Sequence, residues 1–185
     1  MAMITGVKLM DEHQRVFKMA SILLQHPDEE WFESSELTAE IANINDKLIS
    51  LLFKQFFQEI KAIPFMELCE QYVRTFDFNE NTSLYLTYPI FKETPDRGKG
   101  LVKLKEEYMK AGFPLENDEL PDYLPLLLGF CSFAPLSAVK KMIMIHRKSL
   151  DLLVKELALA DSPYQLVVQA CIQTAENILS NQKAS

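Results

Sequence analysis

Three observations predict an all-α fold for this chain of 185 residues. Apolar residues recur at spacings of three and four over most of the sequence, which is the pattern of amphipathic helices. Only five glycines are present, whereas all-β proteins need many tight turns. No run of alternating polar and apolar residues makes a convincing strand. We therefore expect one all-α domain over residues 1–185, a bundle of about seven or eight helices including short ones.

Composition and charge narrow the class of protein. The hydrophobic fraction of 48% and the charged fraction of 24% are typical of a globular protein. The formal net charge of -7 disfavours nucleic acid as a partner, because domains that grip phosphates are usually basic. An acidic surface suits a positively charged peptide, and it also serves solubility alone.

The cysteines, the N-terminus and the most apolar segment predict a cytoplasmic protein with no direct membrane insertion. Cys69, Cys131 and Cys171 are far apart and odd in number, and their apolar surroundings predict buried, reduced thiols. The N-terminus has no apolar run followed by a small-residue cleavage site. The most apolar segment, Leu124–Leu136, is too short to cross a bilayer.

The first part of the chain predicts three helices. Apolar faces indicate helices over Lys8–Gln25, Leu37–Ile63 and Phe65–Phe76. Pro27 helps to end the first helix, and Pro64 separates the second from the third. The second helix is expected to turn these residues inward: Ile41, Ile44, Leu48, Leu52, Phe56 and Ile60.

A more irregular region follows. Asp77–Asn81 indicates a turn. Thr82 or Ser83 is expected to cap a short helix through Tyr88, with a loop over Pro89–Pro95 after it.

The second half returns to helices. One is expected over Asp96–Lys110, ended by Gly112 near the C′ position. Asn117–Pro121 is expected to start a short buried helix through Phe133. The clearest helix runs from Pro135 to Ala160, with an inner stripe at Val139, Ile143, His146, Leu150, Leu153 and Leu157. After a break at 161–163 the last helix packs Leu166, Ala170, Cys171, Thr174 and Ile178, and Asn181–Ser185 are expected to fray.

Patterns of catalytic and metal-binding residues are absent from the sequence. His13, His26 and His146 have no metal-type partner at i+3 or i+4. The dinucleotide, P-loop and nucleophile-elbow patterns are also missing. His146 lies on an apolar stripe and is predicted to be a packed core histidine. We therefore predict a binding protein, not an enzyme, with no metal and no cofactor.

The region from Tyr72 to Phe133 combines broken helical pattern with dense aromatic and acidic residues. Its carboxylates could cap helices, pair with arginines, contact a cationic ligand or do acid–base chemistry. Aromatic residues at a groove with carboxylates at its rim would suit a peptide that carries apolar anchors and basic residues. The acidic residues concerned are Asp77, Glu80, Asp96, Glu119 and Asp122.

Three motifs in this region resemble the NarJ family, the delta-subunit-type assembly chaperones of respiratory nitrate reductase within the TorD-like redox-enzyme maturation chaperones. They are F-D-x-x-x-x-x-S-L-Y-L over Phe76–Leu86, D-R-G-x-x-L-V-x-L over Asp96–Leu104 and E-L-P-D-Y-L-P over Glu119–Pro125. Tyr108 and Ala111-Gly112 add to the match. We expect the fold to bring these separate pieces together.

The resemblance implies a TorD-like, NarJ-like helical chaperone in the cytoplasm. Such a protein binds the N-terminal segment of the nitrate reductase alpha subunit and keeps it competent for molybdenum-cofactor insertion before membrane docking. A peptide-binding surface or its scaffold is then expected at Phe76, Asp77, Ser83, Tyr85, Asp96, Arg97, Glu119, Leu120, Asp122 and Tyr123. Charge reversal at Asp77 or Asp122 is expected to weaken peptide binding.

Two departures and two alternatives accompany this prediction. The loop over Pro89–Pro95 lacks the His and the Gly-Asp that the family often has before the D-R-G motif, and Gly129 stands where the family often has Glu. A small helical enzyme that uses clustered carboxylates is one alternative, and it needs two of them in a closed pocket. A regulatory homodimer module is the other.

Overall fold

The computed structural model of the chain describes residues 10–116 and 118–180. Over these ranges the chain forms ten α-helices and a 3₁₀ turn at Glu80–Thr82. The helices are α1 (Glu12–Leu23), α2 (Glu29–Glu33), α3 (Ser35–Ala42), α4 (Lys47–Lys61), α5 (Phe65–Phe76), α6 (Tyr88–Phe91), α7 (Pro95–Lys110), α8 (Leu124–Cys131), α9 (Leu136–Leu159) and α10 (Tyr164–Ser180). The predicted all-α class is confirmed, while the single-domain organisation over 1–185 stays a prediction.

Some predictions concern residues outside the described ranges. These are the helix start at Lys8, the N-terminal stretch without a cleavage site, Asn117 at a helix start, and fraying over Asn181–Ser185.

Helix α10 lies at the centre of the bundle. It packs against α9, α4 and α1, and α1 packs in turn against α8. The Tyr164 ring, at the start of α10, is buried and contacts the rings of Phe56, Tyr72 and Phe76 at centroid distances of 5.4, 5.6 and 5.1 Å. Aromatic pairs of this kind contribute about 0.5–1.5 kcal/mol beyond their burial. This cluster therefore joins α4, α5 and α10 in one core.

Helices α5, α7, α9 and α10 agree with the sequence predictions to within a residue or two. All six predicted inward residues of α9 are buried. Pro64 and Pro135 lie immediately before α5 and α9 as their N-cap residues. Gly112 follows α7 with φ of +85°, a conformation that glycine adopts without strain.

The single helix predicted over Leu37–Ile63 is wrong, because the chain breaks there into α3 and α4. The Asp46 carboxylate caps α4 by accepting hydrogen bonds from the backbone amides of Leu48 and Ile49, at 2.9 and 3.1 Å. The Glu12 carboxylate of α1 accepts from the Asp46 amide at 3.1 Å. The predicted inward residues Ile41, Ile44, Leu52, Phe56 and Ile60 are buried, whereas Leu48, in the first turn of α4, is exposed and its neighbour Ile49 is buried.

The predicted short helix from Thr82 or Ser83 to Tyr88 is also wrong. The chain after the 3₁₀ turn runs through an isolated antiparallel bridge at Tyr85 and reaches α6 only at Tyr88. The loop predicted over Pro89–Pro95 is therefore shorter than predicted, because α6 begins at Tyr88 and continues to Phe91. Pro89 is tolerated there because the first helical turn needs no N–H from it.

The short buried helix before Phe133 begins later than predicted. It starts at Leu124 rather than near Pro121, because the Tyr123 backbone forms the bridge to Tyr85.

The three cysteines are free thiols. Cys131 and Cys171 are buried as predicted, whereas Cys69 is half-buried. Burial raises the pKa of Cys131 to about 12 and also raises that of Cys171. Neither thiol is therefore a reactive thiolate at neutral pH.

Candidate functional site

The first and third sequence motifs meet as a short antiparallel pair. The Leu86 amide donates to the Asp122 carbonyl at 3.0 Å, and the Leu124 amide donates to the Leu84 carbonyl at 2.9 Å. Segments 84–86 and 122–124 are thereby held side by side, although they are far apart in sequence. The prediction that the fold joins these motifs is confirmed.

The second motif joins the pair through the buried carboxylate of Asp122. Its Oδ2 atom accepts hydrogen bonds from the backbone amide of Thr87, at 3.0 Å, and from the Thr87 hydroxyl. Arg97 of α7 lies with Nη2 at 3.5 Å from the same oxygen, and its Nε donates to the Thr87 hydroxyl at 3.0 Å. A buried charge needs such partners because leaving water is costly. We call these three residues the Asp122 clamp.

A half-buried aromatic and acidic ridge lies beside the clamp. The Tyr85 hydroxyl donates to Glu119 Oε1 at 3.1 Å, and the same oxygen accepts from the Leu120 amide at 2.9 Å. The Tyr85 and Tyr123 rings lie 5.2 Å apart between centroids. Burial, followed by the bond to Glu119, raises the pKa of Tyr85 to about 12, so its hydroxyl keeps its proton and donates.

The ten predicted site residues differ in exposure. Phe76 and Asp122 are buried and belong to the scaffold, whereas Asp77 and Asp96 are exposed. The other six are half-buried: Ser83, Tyr85, Arg97, Glu119, Leu120 and Tyr123. The Asp96 carboxylate pairs with Lys99 at 2.9 Å on the outer face of α7, so it is not brought into the clamp.

The carboxylates do not converge in the way that the enzyme alternative requires. The Asp122 carboxylate accepts a hydrogen bond from Thr87 and forms an ion pair with Arg97. The Glu119 carboxylate accepts a hydrogen bond from Tyr85. Asp77 and Asp96 are exposed. Among the described residues no group of three or more His, Cys, Asp and Glu is arranged to hold a metal ion.

His146 lies on the buried face of α9 and belongs to the protein core, as predicted. Its side chain is 1% exposed. Burial lowers its pKa to about 4, against an opposing effect of the Asp122 carboxylate. The imidazole is therefore neutral at physiological pH.

An open apolar pocket was not predicted from the sequence. It has a volume of about 530 Å³ and lies where α1, α7, α8 and the segment after α7 meet. Its apolar wall consists of Phe113, Leu115, Leu126, Phe130 and Phe133. We call it the phenylalanine pocket. The one signal that could have revealed it is the Gly112 turn, which directs Phe113 back towards α8.

Over the described ranges, none of the helices has the length and apolar character needed to cross a membrane.

Comparison with known proteins gives one consistent family. A family model described as nitrate reductase delta subunit matches residues 33–164. The chain is 34% identical to the probable nitrate reductase molybdenum cofactor assembly chaperone NarJ of Bacillus subtilis (strain 168), over 90% of this chain and 91% of the relative. It is 29% identical to the probable nitrate reductase molybdenum cofactor assembly chaperone NarW of Escherichia coli (strain K12), over 90% and 71%. Identity to the nitrate reductase molybdenum cofactor assembly chaperone NarJ of the same strain is 25%, over 90% and 72%.

Proposed function

The chain belongs to the nitrate reductase delta subunit family, and on that premise we propose that it is an assembly chaperone for nitrate reductase. It binds the N-terminal segment of the catalytic alpha subunit and keeps that subunit competent for molybdenum-cofactor insertion before membrane docking. It works in the cytoplasm by binding and release, without turnover. The observation that carries this proposal is the 34% identity, over 90% of the chain, to a relative named as such a chaperone.

The relatives' names support a role outside catalysis. They are described as assembly chaperones rather than as enzymes, which supports the prediction that this chain is not an enzyme. The carboxylates of the central region are consistent with this, since Asp122 and Glu119 hold the fold together through Thr87, Arg97 and Tyr85.

The exposed part of the central region has the chemistry expected of a peptide surface. Asp77 is exposed and Phe78 beside it is 82% exposed. Half-buried Tyr85, Glu119 and Tyr123 add aromatic and acidic groups. With a net charge of -7, the chain attracts a basic segment at long range. In this proposal Asp77 contacts the segment directly, while Asp122 acts as scaffold.

Deletion of the gene in cells that respire nitrate tests the proposed function. We expect the alpha subunit to accumulate with little molybdenum and little nitrate reductase activity, and the wild-type gene to restore both. The alpha subunit should also co-purify with the tagged chain before cofactor insertion. Normal molybdenum content and normal activity in the deletion strain would contradict the proposal.

A homodimer is the remaining alternative arrangement. A symmetric partner that covers the peptide surface would compete with the client segment. Size-exclusion chromatography over a dilution series, with and without the alpha-subunit peptide, distinguishes the two: the proposal expects the peptide to bind a monomer.

A further inference from the structure

We infer that the outer face of helix α9 adsorbs to an anionic lipid surface. Its lysines meet the negatively charged headgroups, and its apolar side chains enter the interface beside them. This face, which we call the lysine face, consists of Lys141, Met144, Ile145, Lys148, Lys155 and Leu159. It is a different surface from the one proposed for the peptide, so the inference goes beyond the proposed function and does not depend on it.

The apolar residues of the lysine face lie in solvent, on the side of α9 that points away from the core. The predicted inner residues of this helix are all buried on the opposite side. Met144, Ile145 and Leu159 are 63%, 47% and 73% exposed. Their burial in an apolar medium lowers the free energy, and large apolar side chains beside lysines are typical of helices that lie in a membrane interface.

The positive charge of the chain is concentrated on α7 and α9. These two helices hold ten of the 19 basic residues but only five of the 26 acidic ones, although the chain as a whole has a net charge of -7. They are neighbours, because Lys141 of α9 pairs with Glu107 of α7. An anionic surface therefore attracts this side of the molecule and repels the rest, which fixes one orientation of approach.

The lysines of the face keep charge that is available to a partner. Lys148 and Lys155 are exposed, and neither forms an ion pair with another described residue. Lys141 and Lys110 share the single carboxylate of Glu107, so this group of three retains one positive charge. Each lysine near an anionic bilayer adds to the attraction.

The two acidic residues of α9 leave this charge in place. Asp151 lies between the lysines in sequence, but its carboxylate pairs with Arg147 at 3.0 Å, and Arg147 also pairs with Glu176 of α10 at 2.7 Å. Glu156 is half-buried. Five basic residues therefore face two acidic ones along the helix.

The composition of the lysine face favours lipid over another protein. Protein interfaces are depleted in lysine and centre on aromatic and arginine anchors, and the six residues of this face include neither. A second copy packed on the same face would bring lysines against lysines. A lipid surface suits lysine, because the aliphatic stem covers apolar neighbours while the ammonium group reaches the headgroup.

Co-sedimentation of the full chain with vesicles tests the inference. The vesicles contain equal amounts of phosphatidylglycerol and phosphatidylcholine, or phosphatidylcholine alone. We expect the wild type to bind the anionic vesicles at low salt, more weakly at high salt, and at least about tenfold more weakly to phosphatidylcholine alone.

Variants of the lysine face locate the contact. Lys148→Glu combined with Lys155→Glu should weaken binding to the anionic vesicles by about tenfold or more, and Met144→Ser by roughly threefold to tenfold. The matched controls lie on α4. Lys47→Glu combined with Lys54→Glu makes the same change in net charge at exposed positions, and Leu51→Ser alters an apolar side chain of similar exposure, 59%. The control variants should bind within about threefold of wild type.

Every outcome supports or overturns the inference. Absence of wild-type binding to anionic vesicles, equal binding to both kinds of vesicle, or equal losses in the face and control variants would each overturn it. If the vesicles do not bind the chain but the double variant of the lysine face loses co-purification with the alpha subunit, the face contacts a protein instead of lipid. Circular dichroism confirms the fold of each variant, and Met144→Ser keeps the test decidable if the double variant does not fold. Failure of vesicle binding leaves the proposed function intact, since that function is tested by the deletion strain.

Discussion

Donors from Thr87 and Arg97 surround one oxygen of the buried Asp122 side chain. Thr87 supplies two hydrogen bonds and Arg97 supplies the counter-charge. The sequence alone does not distinguish whether the acidic residue between Pro121 and Tyr123 contacts a bound peptide or supports the fold. Only the fold shows that Thr87 and Arg97 reach it. Charge reversal at Asp122 would therefore destabilise the fold, and any loss of peptide binding would follow from that. Of the two predicted charge reversals, only the one at Asp77 tests the peptide-binding surface.

The clamp predicts an effect of Asp122→Asn on stability. The change removes the charge that neutralises Arg97, whose side chain is only 15% exposed. We expect the free energy of unfolding in urea to fall by about 2 kcal/mol. Asp96→Asn is the control, because its pair with Lys99 is exposed and should contribute within about 0.5 kcal/mol. Equal effects of the two changes would show that the clamp does not stabilise the fold.

The burial of His146 predicts that the folded protein loses stability at acidic pH. Its pKa lies near 6.5 in the unfolded chain and at about 4 in the folded chain, chiefly because of burial. Between these values the unfolded state binds more protons, so the stability contribution of neutral His146 is lost as the pH falls through this window. The loss reaches about 3 kcal/mol at most.

His146→Leu should remove this part of the pH dependence, since leucine does not titrate and suits the apolar stripe. Urea unfolding at about pH 7 and about pH 4.5 measures the change for each protein. If the stability of the wild type and of His146→Leu changed equally between the two pH values, His146 would not be the source of the acid sensitivity.

At the scale of the element, helical periodicity predicted α5, α7, α9 and α10 well because each has one uninterrupted apolar face and a proline or glycine at an end. Periodicity wrongly predicted a continuous helix through Asp46 and a helix over Thr82–Thr87, and both errors have the same cause. In both places side-chain oxygens or a distant backbone segment take the amide hydrogens that a helix would use. Hydrogen bonds between distant segments leave no periodic signal in the sequence.

Alanine is expected to have opposite effects on stability at Gly98, within α7, and at Gly112, just after it. A Cβ atom at Gly98 meets nothing within 4 Å, and Gly98 lies within the helix, so Gly98→Ala should stabilise the chain by about 1 kcal/mol. Gly112 lies just after the helix at φ of +85°, so Gly112→Ala should destabilise it by about 1 kcal/mol. Thermal unfolding measures both. A rise in melting temperature for Gly112→Ala, or a fall for Gly98→Ala, would contradict this account of α7.

For the whole molecule, the sequence predicted the fold class and the meeting of the three motifs, but not the phenylalanine pocket. The motifs could be predicted to converge because they formed one recognisable pattern. The pocket was not predicted, because its walls come from α1, α7, α8 and the segment after α7, and each aromatic residue there is equally suited to a closed core. Net charge, by contrast, is a property of the composition, and from the sequence it suited a basic partner and solubility equally.

The most direct test of the chaperone proposal is calorimetric titration of the alpha-subunit N-terminal peptide into the wild-type chain and into Asp77→Lys. Asp77 is exposed and lies at the C-terminal end of α5, where a lysine suits the helix dipole, so the change should leave the fold intact. We expect saturable binding to the wild type, weakened by roughly threefold to tenfold in Asp77→Lys at low salt, unchanged in Glu40→Lys and absent with a scrambled peptide. Failure of the wild-type chain to bind the peptide would contradict the proposal.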